Sequence, residues 1–212
     1  MNVLKEACVG SFLEAKKAYE LGADRIELCD NLGEGGTTPS FGTIKMAIDS
    51  LNIPIFPIIR PRGGNFIYFI YNEEEVKIME EDIEICQSLG VDGIVIGALT
   101  PDNNIDEDII KKLVNKAEGL SITFHMAFDF IENKKAALDR LVDIGIHRVL
   151  TKGGLKSAIH NLDTLKKLNQ YAGDRITILA GGGITQYNYK EIANKTGIKE
   201  VHGTKIVGDL KA

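Results

Sequence analysis

The side chains in this sequence best placed to do chemistry are Glu6 with Cys8, Glu27 with Cys29, His125 and His202. Each cysteine follows a glutamate by two residues in a short apolar stretch, so on a strand the two side chains share a face. Cys8 and Cys29 fall at equivalent places near the ends of neighbouring strands, which lie about 4.8 Å apart. Two such thiols can approach one soft ion, and a two-sulfur pair suits the low coordination of Cu(I). The plainer alternative is that small buried thiols simply fill a core. His125 and His202, with Glu6 and Glu27, have the types needed for general acid–base work or for a divalent metal. Against this stand a buried histidine satisfied by one carboxylate, and a structural salt-bridge layer drawing in Glu6, Arg25, Glu27 and Arg60.

A second set points to an anion. Arg60 and Arg62 flank Pro61, and Gly181, Gly182 and Gly183 follow an apolar burst where a backbone N–H cradle for phosphate would lie. Lys152 follows another burst and adds a cation. The same glycines could serve only as a tight turn, and Lys152 could be an ordinary surface lysine. Cys86 lies on the apolar side of a helix and reads as core. His147 and His160 fall away from the strand ends that matter.

What positions these residues is a repeating pattern of an apolar burst followed by an amphipathic stretch. Strands are predicted over 3–9, 24–29, 53–60, 91–97, 120–125, 147–151, 176–180 and 199–202. Helices are predicted over 11–21, 39–51, 73–89, 105–117, 133–144, 156–169 and 185–194, with Thr38 capping the second. An aromatic loop is expected over 62–71. Glycines at 22, 90, 145 and 197 each end a helix shortly before the next strand. Eight strands alternating with seven helices predict a single-domain α/β fold, a (β/α)8 TIM barrel spanning residues 1–212. The ten residues after His202 are too few for a full eighth helix, so an incomplete outer ring is expected, with its apolar flank as a subunit interface. In such a barrel the polar residues of each strand must point inward, and those near the strand C-termini line the mouth.

Composition narrows the function. The chain is 44% hydrophobic with a net charge of −5, which argues against nucleic acid as a partner. No apolar run approaches the ~18–20 residues of a membrane span, so no membrane partner is expected either. The charged N-terminal residues do not form a signal peptide, and three cysteines fit a reducing cytoplasm better than a disulfide framework.

Several longer motifs carry a resemblance. Glu27-Leu28-Cys29-Asp30-Asn31-Leu32 with Gly35-Gly36-Thr37-Thr38-Pro39-Ser40, Ile59-Arg60-Pro61-Arg62-Gly63-Gly64, Phe124-His125 with Ala127-Phe128-Asp129, and Glu200-Val201-His202-Gly203 resemble the copper homeostasis CutC family. The likeness runs in register over nearly the whole chain. It implies a cytoplasmic TIM barrel that self-associates as a homodimer or larger homo-oligomer and is linked to copper tolerance. It also implies Cys8 and Cys29 as Cu(I) ligands, for buffering or trafficking. A barrel enzyme acting on a small phosphorylated or carboxylated substrate is the competing expectation. The chain departs from the family pattern at Met126, where Arg is common, and at Lys152, where a small polar residue is usual.

Overall fold

The computed structural model describes residues 2–64 and 69–211, so part of the expected aromatic loop lies outside the described residues. Its strands are β1 (Leu4–Val9), β2 (Arg25–Leu28), β3 (Ile55–Pro57), β4 (Gly93–Ile96), β5 (Ser121–Phe124), β6 (Arg148–Thr151), β7 (Thr177–Ala180) and β8 (Glu200–Gly203). Its helices are α1 (Phe12–Glu20), α2 (Phe41–Ser50), α3 (Glu73–Leu89), α4 (Glu107–Lys116), α5 (Lys134–Ile144), α6 (Leu162–Ala172) and α7 (Tyr189–Thr196). Every ladder is parallel, in the order β3-β2-β1-β8-β7-β6-β5-β4. The sheet closes between β3 and β4 through the bridge Ile58–Val95, where the Ile59 amide donates to the Val95 carbonyl at 2.8 Å. This is the (β/α)8 barrel.

Local chemistry accounts for the boundaries. Ser11 caps α1 by accepting from the Glu14 amide, and Asn72 with Glu75 forms a full capping box on α3. Gly22, Gly90, Gly145 and Gly197 all have positive φ, as a glycine exit from a helix requires. The starts of α2, α6 and α7 differ from expectation. Ser40, not Thr38, caps α2; the Thr38 hydroxyl instead accepts from the Arg60 amide at 2.9 Å and ties the loop after β2 to the end of β3. α6 begins at Leu162 because residues 158–160 form a separate 3-10 turn, and α7 begins only at Tyr189.

The outward strand residues Ala7, Val9, Ile26 and Leu28 are buried in the main core against the helices. Inside the barrel a smaller apolar cluster contains Cys8, Cys29, Phe56, Ile58 and Val95. Below it lies an ionic layer. Arg25 is ion-paired with Glu6 and, at 2.6 Å, with Glu200, which also accepts from Arg148 at 2.8 Å. Both guanidiniums lie over the Phe56 ring, 5.2 and 5.5 Å from its centroid. After β8 no further helix follows among the described residues; Ile206, Val207 and Leu210 of that tail are buried. No described helix is long and apolar enough to cross a membrane.

Candidate functional site

At the C-terminal end of the barrel a cavity of about 190 Å³ is lined by Cys8, Glu27, Cys29, Arg60, His125 and His202, with Leu32, Ile58, Phe69, Met126 and Leu150 as apolar wall. It gathers six of the residues singled out by alternation and motif. A larger surface depression beside Val114 and His147 at the opposite rim collects no comparable set of chemical groups.

The strand register sharpens the relation of the two cysteines. Cys8 pairs with Glu27, not with Cys29, and Glu6 pairs with Arg25 on one side and His202 on the other. Cys29 therefore stands one pleat step further up the barrel than Cys8, and the expected equivalence of the two thiols is corrected. They still touch, because the diagonal neighbour on an adjacent strand remains within reach of a side chain. One thiol atom of Cys8, a carboxylate oxygen of Glu27 and a ring nitrogen of His202 all lie within 4.8 Å of one another.

His202 is the hub of this wall. Its Nδ1 is 2.8 Å from Glu6 Oε1, and its Nε2 is 3.6 Å from Glu27 Oε2. Burial opposes a charged ring, but Glu27, Cys8 and Glu6 together hold the imidazole well above its usual value. Glu6 is buried too, yet Arg25 and His202 overcome that cost and pull its carboxyl down to about 2. For Glu27 burial wins, and its carboxyl is raised. The thiols are held protonated. Contact with Cys29, burial and the nearby Glu27 push Cys8 well up, while burial and Glu27 outweigh the favourable Cys8 contact and push Cys29 up to about 11.

The opposite wall is differently built. His125 follows β5, and its Nδ1 accepts from the Ala127 amide at 3.2 Å, which fixes the neutral tautomer with hydrogen on Nε2. Burial and the positive Arg60 drive its value down to about 3. Its ring packs on Phe69, with centroids 4.7 Å apart. Gly97, at the end of β4, makes this possible: a Cβ there would lie 2.9 Å from His125 Nε2 and closer still to two other ring atoms. Arg60 donates Nη1 to the carbonyls of Glu34 (3.1 Å) and Gly36 (2.6 Å), and Nη2 to that of Gly64 (3.0 Å). It thus clasps the loop that follows β2.

Other expected anion ligands lie elsewhere. Arg62 is ion-paired with Glu75 and donates to the Ile70 carbonyl at 2.9 Å, away from the cavity lining. The Lys152 stem lies across Gly182, and its amide donates to Asp129. Gly181 reaches the wall near Leu150, Met126 and His202, but its amide is used by the Thr151 carbonyl. Gly182 and Gly183, both at positive φ, turn the chain outside the cavity lining. Motif reading also passed over Leu32, Phe69 and Leu150, which have no chemistry of their own; Gly97 at a strand end was the one available signal that a bulky neighbour packs there.

The sequence model of the CutC family matches residues 3–207. The CutC family protein of Enterococcus faecalis is 47% identical, over 97% of this chain and all of its own length. The human copper homeostasis protein cutC homolog is 44% identical, over 94% of this chain and 72% of its own. Among solved structures, CutC from Streptococcus agalactiae superposes with a TM-score of 0.91 at 42% identity, covering 96% of this chain and 99% of that one. An aldolase superposes with a TM-score of 0.71 at 13% identity, which is a likeness of fold alone.

Proposed function

The chain belongs to the CutC family, and from that premise we propose that it binds Cu(I) through Cys8 and Cys29 and buffers or delivers it within the cytoplasm. The observation that carries the reading is two touching, buried thiols on a wall they share with the Glu27 carboxyl and the His202 ring. Cu(I) held by two thiolates bears one net negative charge. The His202 imidazolium, anchored by Glu6, offsets that charge without having to give up its proton. Apolar neighbours Ile58, Phe56 and Val95 around the thiols favour a soft, weakly hydrated ion over a hard one. Because both thiols are protonated in the free protein, binding must release two protons, and affinity must rise with pH.

The test is an anaerobic competition against a Cu(I) chelator. The Cys8→Ser/Cys29→Ser variant should keep its circular dichroism spectrum and lose Cu(I). In the wild type, the logarithm of affinity should climb by about 2 per pH unit near neutrality, as two protons leave. A double variant that competes as well as wild type overturns the reading.

A second reading is favoured by the pairing of Glu27, whose carboxyl is raised, with the charged His202 across a cavity open at the barrel mouth. Two titratable groups in opposed environments are how a site holds an acid and a base together. On this reading the chain is an enzyme acting on a small anionic substrate. Glu27 and His202 then supply the acid–base function expected of Glu27 and His125, because His125 is held neutral. It requires that some small anion bind in the cavity.

A further inference from the structure

Arg60 is 3% exposed and has no carboxylate partner among the described residues. Among the described residues its three side-chain hydrogen bonds all go to backbone carbonyls, which solvate the guanidinium but do not neutralise it, and its Nε has no hydrogen-bond partner, as is true of the buried Tyr71 hydroxyl nearby. A buried charge left in this condition is costly. His125 is 5% exposed, and its Nε2, the nitrogen that carries the hydrogen, is likewise without a partner. Both side chains line the same cavity and pack on the same Phe69 ring, whose centroid is 5.4 Å from Arg60 Cζ and 4.7 Å from the His125 ring. Two orphaned donors and one uncompensated cation thus meet at one apolar ring. Buried donors without partners are rare enough to call for an explanation.

We propose that the Arg60 Nε–H and the His125 Nε2–H form a two-point seat for the carboxylate of a small organic acid. This deepens the enzyme reading of the mouth by naming its substrate class, and it needs neither thiol. One net positive charge matches a carboxylate. A phosphate dianion would be left half-compensated by Arg60 alone, since His202 stands on the opposite wall with its Nδ1 engaged by Glu6. A guanidinium edge and an imidazole N–H are both strong donors to a carboxylate oxygen. The cavity, about 190 Å³, is smaller than the ~300 Å³ and upward of drug-sized pockets, which restricts the acid to a few heavy atoms. Seated there, its remaining atoms face Glu27, Cys8 and His202 across the cavity. His125 is then a binding donor and not an acid or base.

Thermal unfolding of the full chain at constant ionic strength tests this with acetate, glycolate and pyruvate as probes, and acetamide and inorganic phosphate as controls. At least one carboxylate should raise the unfolding temperature saturably, and acetamide should not. His125→Phe, which keeps the ring and removes the donor, should weaken that carboxylate at least tenfold. A response to phosphate alone overturns the carboxylate seat while sparing the enzyme reading; no response to any anion overturns both. A carboxylate that binds His125→Phe undiminished also overturns the seat. Should His125→Phe fail to fold, long-range 1H–15N spectra of the wild type decide: glycolate must shift His125 Nε2, and an unmoved signal overturns the proposal.

Discussion

The barrel interior holds two charged levels, and they are built on opposite rules. At the lower level Glu6, Arg25, Glu200 and Arg148 form an unbroken row of ion pairs in which each charge faces its opposite, and both guanidiniums lie over Phe56. At the mouth, among the described residues, Arg60 has carbonyls but no counter-ion, His125 has an idle N–H, and the thiols share their wall with the Glu27 carboxyl and the His202 ring. The contrast separates scaffold from site within one barrel interior. His202 belongs to both, since one nitrogen reads Glu6 below and the other faces Glu27 above.

The largest effect expected from this contrast is on stability. Arg25→Ala strands Glu6 and Glu200 in a dry interior and should cost about 3–5 kcal/mol in urea unfolding. Glu27→Gln removes a carboxyl that burial already disfavours and should stay within about 1 kcal/mol of wild type. Equal losses would erase the distinction between the levels.

Acid titration should expose the mouth next. His125 binds its proton only near pH 3 when folded, against about 6.5 when unfolded. The unfolded chain therefore takes up more protons in that window. Stability is intact above about pH 6.5 and falls as pH drops toward 3, by a few kcal/mol in all. Glu6 adds a second loss with the same sign between its unfolded value near 4.5 and about 2. In His125→Phe the decline between pH 6 and 5 should flatten; an unchanged slope would place its origin elsewhere.

The smallest effect compares two glycines. Gly97→Ala drives a methyl into the His125 ring, which is pinned by the Ala127 amide and Phe69, and should cost about 1–3 kcal/mol. Gly181→Ala meets the far ends of two flexible side chains, Leu150 Cδ1 at 2.6 Å and Met126 Cε at 2.7 Å, which can swing aside, and the His202 ring only at 3.2 Å, so about 1 kcal/mol or less is expected. Chemical denaturation of both variants ranks them.

How much of this was readable from residues alone follows from the period of each element. Alternation along β1, β2 and β8 is local, so it named Glu6, Cys8, Glu27, Cys29 and His202 as inward-facing without any tertiary knowledge. Register is not local. That Cys8 stands beside Glu27 and one step below Cys29 is decided by how neighbouring strands stagger around a closed barrel. Loops obey neither rule: alternation placed Arg60 at the inward end of the third strand, but nothing in the loop sequence told that Arg62 would join Glu75. The ionic layer was foreseen in kind, but its membership changed, with Glu200 and Arg148 taking the places expected for Glu27 and Arg60.

The seam where the sheet closes has a further consequence. Between β3 and β4 the barrel is clasped by the Ile58–Val95 bridge and the hydrogen bond from Ile59 to Val95, while the β1–β2 and β6–β7 ladders each register four residue pairs. Ile58 and Arg60, on either side of that clasp, also wall the cavity. Whatever fills the mouth therefore staples the weakest joint of the cylinder, and the exchange rate of the single Ile59 amide becomes a gauge of occupancy.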